Sequence, residues 1–170
     1  MAINFPEGTQ NLPSNIVQVI QTVKTDTYST QGSTGSFAVS GMSASITPKA
    51  SSSKVLVIFS INCDNQKDNS QAGFRIYRNG AHLTASSGVG SGNRYTCNTD
   101  LGANANRDQS GMNKNFFYLD SPNTTSSRTY ALYIYKLTND KITINRGQTD
   151  ANQNDDPRMI STVTLMEVAA

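Results

Sequence analysis

The chain has 170 residues, a length that fits one domain with a single hydrophobic core. Charged residues make up 15% of the sequence, and the formal net charge is +2. This balance excludes the high net charge typical of disordered chains, and the scattered arginines do not favour nucleic acid as a partner.

Residues 1–15 (MAINFPEGTQNLPSN) are expected to form an irregular arm ahead of one domain over residues 16–170. The two prolines of the arm disfavour helix and central strand, and its apolar residues Ile3, Phe5 and Leu12 are isolated. The arm lacks the basic and apolar regions of a secretory signal, and no apolar run of about 18 residues predicts a membrane span. We therefore expect synthesis in a cytoplasm and no membrane partner.

Beyond the arm, apolar residues alternate with the period of strands, and no helical period extends over three turns. The β-branched run at 16–25 predicts the first strand, and residues 42–46 predict the next. Residues 54–62 (KVLVIFSIN) are apolar on both sides of the predicted strand. This pattern indicates a central strand that is covered on both faces.

Residues 73–78 predict a strand that ends at Asn79-Gly80, a dipeptide suited to a two-residue hairpin turn, with a return at 81–85. The longest stretch without a strand pattern follows, at 86–111. Long loops on a rigid scaffold commonly carry binding function, so we expect this loop to recognise a receptor or ligand. The candidate residues are Arg94, Tyr95, Asn98 and Arg107.

Four further strands are predicted at 115–119, 128–137, 141–145 and 160–168. In the second of them, Leu132 and Ile134 are expected to face the core, which places Tyr133 and Tyr135 on the opposite face. We expect these tyrosines to share a surface with the remaining face of strand 54–62. Such an exposed row favours an oligomer interface at Tyr133 and Tyr135, and ordinary two-sided packing is the alternative.

Eight or nine short strands separated by turns predict an all-β sandwich or barrel. An enzyme is not expected, because the single histidine, His82, has no accompanying nucleophile motif such as G-x-S-x-G. We accordingly name no catalytic residue and no cofactor. Cys63 and Cys97 form no C-x-x-C motif, so two free thiols or one disulfide remain open.

Two loops, at 64–69 and 150–156, concentrate carboxylate and amide side chains. Oxygen-rich loops can bind calcium, but neither has the spacing of a known calcium loop. We therefore expect solvated turns and no metal site.

Five segments of these strands and turns occur together: KVLV at 54–57, RNG at 78–80, LDSP at 119–122, INR at 144–146 with Thr149-Asp150, and STVTLMEV at 161–168. In this combination the chain, from about residue 16 to its end, resembles small virion structural or tail-fibre proteins of tailed bacteriophages of the marine and cyanobacterial type. The opening MAINFP is also similar to such proteins.

The resemblance implies a jelly-roll β-sandwich of about 8–10 strands, similar to tumour necrosis factor and complement globular-head modules, which are homotrimers. Its last strand would run through the inner sheet, close to the threefold axis, and Tyr133 and Tyr135 would line the trimer interface. Glu167 in that strand would need a partner such as Arg146 or Arg158, or an outward orientation.

The implied role is that of a non-enzymatic phage structural protein on the virion surface, made in the bacterial host cytoplasm. We expect a trimeric knob that decorates or cements the capsid, with Ile3, Phe5 and Leu12 anchoring it to major capsid or tail proteins. The alternative is a tail-fibre or receptor-binding tip that contacts a glycan or protein of the host surface. A carbohydrate-binding β-sandwich is a more remote alternative.

Overall fold

The computed structural model describes residues 15–30, 32–65, 71–101, 111–152, 154 and 156–169. In these ranges the chain forms eleven β-strands and one turn of 3-10 helix at Thr84–Ser86. The strands are β1 (Ile16–Lys24), β2 (Tyr28–Thr30), β3 (Gly35–Ile46), β4 (Lys54–Asn65), β5 (Ala72–Arg78), β6 (Ala81–His82), β7 (Thr99–Asp100), β8 (Met112–Asp120), β9 (Arg128–Lys136), β10 (Ile142–Ile144) and β11 (Ser161–Val168).

The strands form two antiparallel sheets. In the first sheet β4 pairs with β8 along one edge, and with β11 and then β10 along the other. Strand β1 continues this sheet beyond β11, and β2 continues it beyond β10. The second sheet has the order β3-β9-β5-β6, with β7 also paired to β5. The prediction of an all-β sandwich is therefore confirmed.

The core lies between the sheets and is formed by alternate residues of each long strand. On β4, Val55, Val57, Phe59 and Ile61 are completely buried. On β9, the completely buried residues are Tyr130, Leu132 and Ile134, as the sequence predicts. Aromatic rings join the two layers, because Phe116 stacks on Phe59 at 5.3 Å and on Phe74 at 6.0 Å between ring centroids.

The structure corrects the prediction that β4 is covered on both faces. This strand is central in the sense that it has hydrogen-bonded neighbours on both edges. Its outward residues Leu56 and Ile58, however, are only half-buried. The second sheet covers one face of β4, and nothing in the described chain covers the other completely.

Strand ends agree with the sequence patterns at β1, β9 and β11, but β3 begins at Gly35, seven residues before the predicted start at Met42. Asn79 and Gly80 have φ values of 51° and 80°, as a two-residue hairpin turn requires. The pattern missed β2 and β7, which have only three and two residues. It also overextended β6, because the chain turns into a 3-10 helix two residues after His82.

The chain termini and the short turns lie at one end of the sandwich, and the longer connections between strands start from the other end. The Ala169 amide donates to the Asn15 carbonyl at 2.7 Å, so the chain enters and leaves the domain side by side. The short turns at 47–53, 79–80 and 121–127 lie at this end, which we call the termini end. The strand ends at Asn65, Ala72, Met112 and Ser161 lie at the opposite end, which we call the loop end.

Asp120, at the termini end, connects the two sheets. Its Oδ2 accepts hydrogen bonds from the Tyr130 hydroxyl at 2.6 Å and from the Arg78 guanidinium at 2.7 Å. Burial raises the pKa of Tyr130, and the hydrogen bond to Asp120 raises it further. The last residue of β8 is thereby fixed to β5 and β9 of the other sheet.

Glu167 is completely buried and has different partners from those expected. Its carboxylate accepts hydrogen bonds from the Gln18 amide at 2.6 Å and from the Lys49 backbone N–H at 2.7 Å. The expected partners were wrong, because Arg146 and Arg158 both bind Asp150. Burial raises the pKa of Glu167, but the hydrogen bonds from Gln18, Ser53 and the 49–50 amides outweigh it, so the pKa lies below its ordinary value.

We predict that Glu167→Gln lowers the free energy of unfolding by about 1–3 kcal/mol at pH 7, because an NH2 group would face hydrogen-bond donors. Since the folded-state pKa is depressed, the carboxylate's contribution is present above its ordinary pKa of 4.5 and is lost as the pH falls through the folded value. Urea melts at pH 7 and pH 3 should show the difference shrinking with acid. A loss of stability that is the same at both pH values would contradict the assignment.

The two cysteines are free, which settles the open choice in favour of two thiols. Cys63 points into the core, and burial raises its pKa to about 12. Cys97 packs on the outer face of the second sheet, where a Cβ added to Gly73 would lie 2.7 Å from the Cys97 Cβ. The two thiols are therefore on opposite sides of a sheet and cannot bond without unfolding.

Thiol labelling of the native protein should modify Cys97 slowly, because burial raises its pKa, and Cys63 only on unfolding. Mass spectrometry after timed labelling measures both rates. Cys97→Ser should abolish native-state labelling, and a 63–97 disulfide found in the oxidised protein would contradict the structure.

Candidate functional site

The outward face of the first sheet carries two rows of side chains that the strand register brings together. Residues paired across a sheet project from the same face, so each row crosses β1, β11, β4 and β8. The first row is Val19, Met166, Leu56 and Leu119. The second row is Gln21, Thr164, Ile58 and Phe117. We call these eight residues the open face.

The open face exposes large apolar side chains. Phe117 is 75% exposed, Val19 is 54% exposed and Leu119 is 44% exposed. Between them, Leu56 and Ile58 are half-buried. Scattered exposed hydrophobic residues are ordinary, but a contiguous apolar patch on one sheet face is typical of an interaction surface.

None of the eight residues of the open face is charged. A third row lies next to the open face on the side of the loop end, and it also carries no charge. It consists of the paired residues Val23, Thr162, Ser60 and Asn115. Beyond it, the Asn113 amide donates to Asn62 Oδ1 at 3.1 Å. The face thus changes from apolar near the termini end to neutral and polar near the loop end.

The predicted interface residues Tyr133 and Tyr135 lie on the outer face of the second sheet. The Tyr133 ring stacks on Tyr77 with a centroid separation of 3.6 Å. The Arg75 guanidinium lies 3.5 Å from the Tyr135 ring centroid, and Tyr95 approaches the same ring at 6.0 Å. We call these five residues the tyrosine row.

The expectation that the tyrosines share a surface with the outward face of β4 is wrong. Strands β9 and β4 belong to different sheets, so the tyrosine row and the open face lie on opposite sides of the sandwich. A subunit contact at Tyr133 and Tyr135 stays a prediction.

The structure gives the four predicted recognition residues different roles. Arg94 is exposed. Asn98 positions the loop instead, because its Oδ1 accepts from the Ile76 N–H at 3.0 Å and its amide donates to the Ser86 carbonyl at 2.6 Å. Tyr95 donates to Asp100 at 2.5 Å, and burial together with this bond raises its pKa. Arg107 lies outside the described residues.

His82 has one polar neighbour that the sequence did not indicate. Its Nε2 lies 3.0 Å from the Ser87 hydroxyl. Burial lowers the pKa of His82, and the nearby Arg75 charge lowers it further. Within the described ranges no carboxylate hydrogen-bonds the ring, so the orienting member of a serine-histidine-carboxylate triad is not seen there.

The arm residues Ile3, Phe5 and Leu12 lie outside the described residues. Among the residues that are described, no three histidine, cysteine, aspartate or glutamate side chains form a metal cluster. In the same part of the chain no helix is long and apolar enough to cross a membrane.

Sequence reasoning expected the remaining face of strand 54–62 to be exposed but did not add residues of β8 to it, although one signal for them was present. Residues 115–119 (NFFYL) alternate so that Phe117 and Leu119 point away from the buried Phe116. Two neighbouring strands with apolar residues on both faces require a cover on both sides. A search for the second cover would have identified the surface.

No protein-family model matches this chain. No curated protein sequence matches it either. Among solved structures it is similar to dimeric latent PorU from Porphyromonas gingivalis, with 10% identity over 89% of this chain and 12% of that one, at a TM-score of 0.46.

The chain is also similar to two structures from infectious bursal disease virus. The Gx strain structure shares 13% identity over 90% of this chain and 37% of that one, at a TM-score of 0.43. The VP2 subviral particle shares 12% identity over 90% of this chain and 38% of that one, at a TM-score of 0.41. The chain spans less than half of each of these proteins.

Proposed function

We propose that this protein is a non-enzymatic virion structural protein that assembles as a homotrimeric knob on the surface of a tailed bacteriophage. The open face is the observation that carries the proposal. A protein whose exposed sheet face is apolar and uncharged needs a protein partner to cover it. The sequence resemblance supplies the virion setting.

The strand order supports the jelly-roll part of the proposal. Along the chain, β3 and β4 lie in different sheets, β5 returns to the second sheet, and β8, β9 and β11 alternate between the sheets again. The consecutive strands β3, β4 and β5, and likewise β8 and β9, therefore face each other across the core. This interleaving is expected of a double Greek key closed into a jelly roll.

Self-association is the partner that the open face fits best. Its most exposed residues lie at its two margins, with Val19 on β1 and with Phe117 and Leu119 on β8. If the β8 margin of one subunit packs on the β1 side of the next, the contact joins two different patches. A contact of this kind generates a closed ring when the rotation allows it, as in a trimer.

The tyrosine row fits a subunit contact less well. Stacking against Tyr77, Arg75 and Tyr95 already covers part of Tyr133 and Tyr135, and both are half-buried in the single chain. The row therefore gains less from a partner than the open face does. We keep Tyr133 and Tyr135 as the second candidate interface.

The position of the termini supports attachment through residues 1–15. Asn15 and Ala169 meet at the termini end, so an arm that contains Ile3, Phe5 and Leu12 would leave the knob there. Three arms of one trimer would strengthen a weak contact through effective concentration. The loop end would then point away from the particle.

A receptor-binding or tail-fibre tip is the second candidate function. The same orientation favours it, because the loop end and the exposed Arg94 would be presented to a host surface glycan or protein. Capsid decoration remains the first proposal, since a short arm docks a knob on a lattice without a fibre shaft. The carbohydrate-binding alternative rests on the tyrosine row alone.

We predict that the protein is a trimer of about 55 kDa, three times the chain mass of 18.3 kDa. Phe117→Ser with Leu119→Ser should yield a folded monomer, because both side chains are exposed and add little to the core. Light scattering after size exclusion measures the mass, and circular dichroism confirms the fold. Tyr133→Ser with Tyr135→Ser is the matched variant for the second face.

Comparison of the two double variants identifies which face forms the subunit contact. Loss of the trimer only in the tyrosine variant would place the contact on the second sheet and contradict the open face. A wild-type monomer at micromolar concentration would contradict trimer formation altogether.

We predict further that removal of residues 1–14 leaves a folded trimer that no longer binds particles lacking the wild-type protein. Co-sedimentation with such particles measures binding, and light scattering confirms the oligomer. Unchanged binding would contradict the anchoring role of Ile3, Phe5 and Leu12. Electron microscopy that located the knob at the tail tip would contradict capsid decoration.

A further inference from the structure

The two predicted interface tyrosines have one stacked side and one side that faces strand β3. The Tyr133 ring stacks on Tyr77 with centroids 3.6 Å apart, and the Arg75 guanidinium lies 3.5 Å from the Tyr135 ring centroid. Tyr77 and Arg75 both belong to β5. Strands β5 and β3 pair with opposite edges of β9. The ring faces of Tyr133 and Tyr135 that are not stacked are therefore turned towards β3.

Strand β3 places only small side chains beside these two rings. In the β3–β9 register, Ser36 pairs with Tyr135 and Ala38 pairs with Tyr133. Ser43 is the next residue of β3 in register, beyond an irregularity in the pairing. All three β3 residues are exposed, and we call them the β3 shelf. Serine and alanine side chains are too short to cover an aromatic ring, so each tyrosine keeps one ring face open to a ligand.

The open ring faces are held in position from their stacked side. Arg75 Nε donates to the Thr96 carbonyl at 2.7 Å, which fixes the guanidinium against its tyrosine. The His82 ring stacks on Tyr77 at 5.5 Å, so Tyr133 ends a stack of three rings. Residues two apart on a strand share a face and lie about 7 Å apart. The two open ring faces therefore form one preorganised surface, which lowers the cost of binding.

The surface around the open ring faces carries almost no charge. On the outward side of β3, β5 and β9, Arg75 is the only charged residue. Its guanidinium lies on the stacked side of Tyr135, away from the β3 shelf. A charged ligand on the shelf would therefore have no opposite charge beside it, so the surface favours a neutral ligand.

The composition of the β3 shelf distinguishes between a protein and a sugar as the ligand. Serine and alanine are depleted in protein–protein interfaces relative to the rest of the surface. Serine hydroxyls both donate and accept hydrogen bonds, as sugar hydroxyls do. A pyranose ring also has an apolar C–H face that can pack on a tyrosine ring. Open aromatic faces above exposed hydroxyls therefore fit a sugar better than a protein.

We propose that Tyr133, Tyr135 and the β3 shelf bind a neutral polysaccharide, with a sugar ring on each tyrosine and sugar hydroxyls bonded to Ser36 and Ser43. The inference rests on the proposed function, in which the bacterial host surface supplies the polysaccharide, and it names the ligand class of the second candidate function. A trimer formed through the open face leaves this site exposed, because the two lie on opposite sides of the sandwich. Three sites in one trimer would strengthen weak single contacts.

The test is binding of the labelled full-length protein to an array of purified bacterial polysaccharides, both neutral and acidic. We expect neutral polysaccharides to bind and acidic ones not to bind. Binding should persist at about 0.5 M NaCl, because salt does not screen contacts between neutral groups. For a polysaccharide that binds, saturation-transfer NMR should show the C–H protons of its sugar rings in contact with the protein.

Ala38→Leu is the decisive variant, because it keeps both tyrosines and covers one of the open ring faces. The Cβ atoms of directly paired residues lie about 5 Å apart, so the leucine would pack on the Tyr133 ring. Polysaccharide binding should become roughly ten-fold weaker. Ser36→Leu makes the same test at Tyr135. Ser45→Leu, which adds the same side chain to β3 beyond the shelf, is the matched control and should bind as the wild type does.

Binding to no polysaccharide, or to acidic polysaccharides alone, would overturn the proposal. Loss of binding in salt would also overturn it, as would equal binding by Ala38→Leu, Ser36→Leu and the wild type. Circular dichroism confirms that the variants fold, and if one does not, the other decides. Light scattering and co-sedimentation report separately on the trimer and on particle attachment. A protein that attaches to particles but binds no polysaccharide would contradict this inference and leave the proposed function standing.

Discussion

The structure depends on strand β4, which is hydrogen-bonded along nearly its whole length on both edges. Strand β8 pairs with Val55 to Cys63 on one side, while β11 and β10 share the other side end to end. Its inward residues form the floor of the core and are completely buried. Since every other strand of the first sheet is attached to β4 directly or through one neighbour, the position of this strand fixes the whole sheet.

The two sheets treat their outward faces differently. In the second sheet, the chain covers the β5 side of its own outer face, because Arg75 and Tyr95 lie on Tyr135 and the loop that carries Asn98 is bonded to β5. In the first sheet, the apolar residues that alternate with the core of β4 have no such cover. The β5 side of the outer face of the second sheet is therefore covered within a single chain. The apolar outer face of the first sheet would be covered only if another molecule packed on it.

The sequence predicted the class of fold because long strands have a clear period of two. Residues such as Leu132 and Ile134 were assigned to the core correctly, since alternation fixes the face of each side chain. Alternation alone cannot assign strands to sheets, which is why Tyr133 was placed on the same surface as the outward face of β4. Glu167 was misjudged for a related reason, because its partner Lys49 belongs to a turn that is distant in sequence.

The hydrogen bond between Ala169 and Asn15 has a consequence for the order of the chain. With these two backbones in contact, a linker of a few residues between them would close the chain into a circle without distorting the sandwich. New ends could then be opened at Asn79-Gly80, an exposed turn where neither residue packs in the core. We therefore expect a chain with this permuted order of strands to fold into the same two layers.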